Sequence, residues 1–67
     1  HNSRRSEPGF PDLTMVRAER LIFAELKAPN GRLSEPQKRW LDALRMTGAE
    51  VYLWRPADWD AIQELLR

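Results

Sequence analysis

The chain has 67 residues, enough for one domain. A fold of this size buries only about 60% of its unfolded surface, and with no cysteine neither a disulfide nor a thiolate metal site can reinforce it. Eleven basic residues against ten acidic leave a net charge of +1, which by itself does not mark a nucleic-acid binder.

No run of 18 apolar residues is present, which excludes a membrane span. No signal peptide is visible, and the chain reads as cytoplasmic. It opens on His1, as a processed or truncated chain would. Support is therefore expected from a homodimer, from exchanged elements, or from a segment outside this sequence.

Residues 1–8 are polar, lack periodicity and read as an N-terminal arm; 9–67 form the domain. Arg4 and Arg5 in the arm are candidates for phosphate contacts, set against a plain basic tail. Gly9 and Pro11 bracket Phe10, and Pro11 fixes the backbone just before Asp12, as the start of a strand allows. Strands are predicted over 12–17 and 21–27, with 17–20 as the charged tip between the apolar runs. Folding this hairpin about 18–19 sets residues whose numbers total 37 opposite one another. Asp12 then faces Glu25, and a slip of one residue would turn Glu25 to the other face.

Ala28-Pro29-Asn30-Gly31-Arg32 is a turn cluster. Ser34 opens a helix, and Gln37 three residues on completes an S-x-x-Q capping box. Glu35 favours the helix dipole, and Pro36 is tolerated because first-turn N–H groups lack helical partners. The helix is predicted to reach about Thr47, with Gly48 as its stop. Its apolar stripe is Trp40, Leu41, Leu44 and Met46, and Gln37 lies one turn before Leu41 on the same stripe. Residues 50–55 are β-prone and end at Pro56. Asp58 is expected to cap a last helix through Trp59, Ile62, Leu65 and Leu66.

These elements make an α/β fold, a small mixed sheet in the order β-β-α-β-α. The first two strands pair antiparallel. The second strand, the helix and the third strand form a βαβ unit, hence a parallel pair with a right-handed crossover.

Strand positions i and i+2 point to one face, about 6–7 Å apart, so Glu25 and Lys27 share a face. With Asp12 opposite Glu25, two carboxylates beside a lysine suit a divalent cation and a phosphodiester. Mg²⁺ prefers oxygen ligands in an octahedron and keeps several waters. Asp12, Glu25 and the backbone carbonyl of Leu26 are the expected ligands, and Lys27 would stabilise charge building on phosphate. The plainer reading of E-x-K is an ordinary exposed strand end, because the triplet is common by chance. Gln37 either bonds back to the Ser34 amide or reaches metal-bound water; one side chain is not expected to do both. Lys38, clustered with Arg32 and Arg39 at the helix start, is a candidate DNA contact. Trp40 and Trp54 read as core, and Trp59 as half exposed.

Gly9-Phe10-Pro11-Asp12-Leu13, Glu25-Leu26-Lys27, Leu33-Ser34-Glu35-Pro36-Gln37 and the tail 48–56 together resemble the VRR-NUC (virus-type replication-repair nuclease) branch of the PD-(D/E)XK nuclease superfamily, over residues 9–67. The resemblance implies a restriction-endonuclease-like fold, with Mg²⁺ or Mn²⁺ on Asp12 and Glu25. It also implies Lys27 assisting catalysis and Gln37 lining the site from the helix. The activity implied is endonucleolytic cleavage of DNA, on branched or nicked structures, in DNA repair, and the source expected is prokaryotic or phage. Members of this family usually carry a helix with a glutamate, and a further strand, ahead of the position of His1. This chain has neither, and Glu7, the only acid before Asp12, stands in a loop. The alternative is therefore a catalytically incomplete nucleic-acid-binding or dimerisation module on the same fold.

Overall fold

The computed structural model describes residues 7–67; the candidates Arg4 and Arg5 lie outside them. The elements are β1 (Leu13–Arg17), β2 (Arg20–Leu26), α1 (Glu35–Arg45), β3 (Glu50–Trp54), a 3₁₀ turn (Pro56–Asp58) and α2 (Trp59–Leu65). They form one three-stranded sheet in the order β1-β2-β3, with β1 antiparallel and β3 parallel to the central β2.

The hairpin register is the predicted one: Leu13 pairs with Ala24, and Arg17 with Arg20. The turn is shorter than expected. Arg17 and Arg20 belong to the strands, leaving Ala18 and Glu19 as the tip. Arg20 is drawn into β2 because its guanidinium grips Glu50 of β3 through two 2.7 Å bonds and donates to the Leu65 carbonyl at 3.0 Å. Ala18 takes up the tight reversal with a positive φ of 53°.

Alternation along β2 assigns its two faces to the two helices. Phe23 and Glu25 face α1. Phe10 bridges this layer, meeting Phe23 edge-on at 5.9 Å and Trp40 of α1 at 5.0 Å. The opposite face carries Arg20, whose bond to Leu65 ties it to α2. Ile22, Ala24, Leu41, Phe23 and Trp54 make the apolar core, so Trp54 is core as expected, and Trp40 is half-buried against Phe10.

The α1 capping box is present in both directions. The helix stops at Arg45 rather than Thr47, because the Thr47 hydroxyl turns back to the Leu44 carbonyl at 2.6 Å and Gly48 takes φ 88°. Met46, placed on the apolar stripe by its spacing, therefore sits past the helix end and is 87% exposed. Asp58 does not cap α2 with its side chain. Its carboxylate accepts the Arg55 N–H at 2.8 Å, which closes the 3₁₀ turn one step earlier.

Candidate active site

Asp12 stands one residue before β1, at the edge where the ladder has not begun. Within a strand, one residue's N–H and C=O point to the same side. Leu26 directs both toward the β1 edge, beyond the last backbone pair at Leu13–Ala24. Asp12 supplies the missing acceptor: its Oδ2 takes the Leu26 N–H at 2.9 Å. The carboxylate is thereby held beside the edge to which the Leu26 carbonyl also points. Pro11, buried just before it, anchors the approach.

Glu25 lies on the face toward α1 and is only 3% exposed. Its Oε2 accepts from Gln37 Nε2 at 2.8 Å and lies 3.7 Å from Lys27 Nζ. Its Oε1 is buried with no hydrogen-bond partner. Burial raises the Glu25 pKa above the ordinary carboxylate value, and the neighbouring Asp12 charge raises it further, against a lowering by Lys27. A buried charged oxygen without a partner is costly, and two carboxylates set against each other make it more so. A hard divalent cation answers both conditions, so this donor set fits one. Among the described residues no group of three or more His, Cys, Asp or Glu side chains converges. The side-chain oxygens that approach one another here are those of Asp12 and Glu25.

Gln37 bonds in two directions at once. Its Oε1 accepts the Ser34 N–H at 2.8 Å while its Nε2 donates to Glu25. A primary amide has an acceptor end and a donor end, and the first turn of α1 aims one at its own backbone and the other at β2. Lys38, the next residue, is exposed, and its Nζ pairs with Glu35 across one helical turn at 3.2 Å. Lys27 is tucked in at 18% side-chain exposure.

Gly9 holds the loop before Asp12 against α1, a role its bracketing of Phe10 did not reveal. Its φ is +86°, and a Cβ there would stand 2.6 Å from the Pro36 carbonyl carbon and 2.7 Å from the Gln37 nitrogen. Only a bare Cα lets the loop reach the start of the helix that carries Gln37.

Residues 1–58 match the VRR-NUC domain family. The chain belongs to that family. Fanconi-associated nuclease 1 from Danio rerio is 42% identical over 50 residues, covering 72% of this chain and 5% of that protein. The Fanconi-associated nuclease 1 homolog from Caenorhabditis elegans is 48% identical over 54 residues, covering 75% of this chain and 6% of that protein. No solved structure matches the chain. This VRR-NUC domain spans about one-twentieth of the length of these relatives, which are named as nucleases. Its β-β-α-β-α mixed sheet is compatible with the restriction-endonuclease-like arrangement that the motifs implied. The relatives are animal proteins, which counts against the prokaryotic or phage source expected from the sequence. Among the described residues no helix is long and apolar enough to cross a membrane.

Proposed function

We propose that this VRR-NUC domain hydrolyses DNA phosphodiesters endonucleolytically with Mg²⁺ or Mn²⁺, on branched or nicked DNA. The observation that carries this reading is Glu25: one carboxylate oxygen is buried and partnerless, the other is shared by Gln37 and Lys27, and Asp12 stands alongside. Asp12, Glu25 and the Leu26 carbonyl would hold the cation. When bound, it would polarise a phosphoryl oxygen and lower the pKa of a bound water.

The chain's own groups do the rest. Lys27 Nζ donates to a phosphate oxygen and offsets the charge that builds there. Gln37 holds Glu25 Oε2, so that Oε1 stays free for the cation. Arg4, Arg5 and Lys38 contact DNA phosphates, which position the strand without reading its sequence. The names of the relatives, all nucleases, support the same chemistry.

The test is nicking of a plasmid and of a branched duplex by the full chain in Mg²⁺ or Mn²⁺, beside Asp12→Ala. Cleavage by the parent should fall to background in the variant and in excess EDTA. Mn²⁺ should raise the melting temperature of the parent but not of the variant. A second reading rests on the two-acid donor set: a binding or dimerisation module without turnover. It predicts salt-sensitive DNA binding with no cleavage, unchanged by Asp12→Ala.

A further inference from the structure

Arg55 lies outside the Glu25 and Asp12 contacts, yet its guanidinium holds the segment between the two halves of the site. It follows β3, and its backbone N–H is pinned by Asp58 at 2.8 Å. The ends of β2 and β3 are adjacent, since the Lys27 N–H donates to the Trp54 carbonyl at 2.9 Å. From there the Arg55 guanidinium reaches under the turn that leaves β2. Its Nη1 donates to the carbonyls of Ala28 at 2.7 Å and Gly31 at 2.8 Å, with Pro29 at 3.3 Å. That turn is closed on itself by the Gly31 N–H on the Ala28 carbonyl at 3.0 Å.

The clasped segment begins at Lys27 and leads to Ser34, the cap of the helix that bears Gln37. It also runs close beside the lysine: a Cβ added at Gly31 would stand 3.4 Å from Lys27 Cδ. Three carbonyls converging on one cationic nitrogen form charge-assisted bonds, stronger than neutral ones. Without the cation the turn keeps a single internal backbone bond, and the wall beside the Lys27 stem loosens.

We propose that Arg55 is a positioning residue for the nuclease reaction, holding Lys27 on Glu25 by clamping the 28–31 turn. This rests on the nuclease reading above. All three contacts pass through one nitrogen, so a lysine, with three donors on one atom but a stem one bond shorter, keeps the charge and part of the clamp. A misplacement of about 1 Å at a reacting group costs roughly 100-fold.

The experiment compares parent, Arg55→Gln and Arg55→Lys as full chains, below the melting temperature of each, alongside Asp12→Ala. Arg55→Gln should lower kcat roughly 10- to 100-fold with KM and the salt dependence of DNA binding unchanged. Amide exchange should quicken at 28–31 and not in β1. Arg55→Lys should recover part of kcat. Parental kcat in Arg55→Gln overturns the proposal while leaving the nuclease reading intact. So does a salt slope smaller by about one, the sign of a direct phosphate contact, or a lost kcat that lysine does not recover. Absence of cleavage by the parent in either metal refutes the nuclease reading and this proposal with it.

Discussion

The two oxygens of Glu25 have different fates, and Gln37 is the reason. Its amide satisfies Oε2 and the α1 cap together, so substitutions can separate the two tasks. Ser34→Ala removes the cap acceptor of the Gln37 N–H and should cost about 1 kcal/mol. Gln37→Glu keeps an acceptor for the Ser34 N–H but sets a carboxylate against Glu25. It should cost a further 1–3 kcal/mol, roughly the penalty for a buried polar group deprived of its partner. Urea unfolding in EDTA measures both, and parental stability for Gln37→Glu would mean the Glu25 contact contributes nothing.

Among the elements, tight backbone positions set where the site can form. Gly9 and Gly48 both have positive φ, but only Gly9 is hemmed in, since a Cβ at Gly48 meets nothing within 4 Å. Gly48→Ala should therefore cost only the left-handed backbone penalty, about 1–2 kcal/mol. Gly9→Ala should cost more, and should also perturb the amide signals of Pro36's neighbour Gln37, because the added methyl group meets backbone that cannot yield. Equal losses in the two variants would show that the Gly9 loop is free to move. At the hairpin tip, Ala18 sits at φ 53°, so Ala18→Gly should raise stability by roughly 1 kcal/mol in thermal unfolding.

At the scale of the molecule, Arg20 and Glu50 join β2 to β3, the Tyr52 hydroxyl donates to Glu50 at 2.6 Å, and Arg20 reaches α2. The Arg20 bond, with help from Tyr52, holds the Glu50 pKa down at about 2, from an ordinary 4.5. A depressed carboxylate stabilises the fold above its unfolded pKa, and that contribution is lost as pH falls from 4.5 towards 2. Glu25 acts in the opposite sense. With its pKa raised, the folded form holds its proton longer, and stability falls as pH rises past 4.5. Acid titration of Glu50→Gln against the parent isolates the first effect: the variant should show a flatter loss between pH 4.5 and 2. An identical acid limb in both would remove Glu50 from the account. The homodimer expected from the small size predicts twice the chain mass in sedimentation equilibrium, and a monomer mass would exclude it.

Much of this was legible along the chain because local chemistry decided it. The hairpin register follows from where the apolar runs break; it brings Asp12 to the end of the hairpin near Glu25, and period-two alternation puts Lys27 on the face of Glu25. The Ser34 box and the Gly48 stop mark α1 to within two residues. What only the tertiary structure decided depends on partners far apart in sequence. Arg20 joins a strand because Glu50 waits thirty residues on. Gln37 serves two elements because α1 crosses β2 at Glu25. Periodicity encodes which face a residue takes, but the distance from that face to another segment exists only once the sheet and its helices have packed.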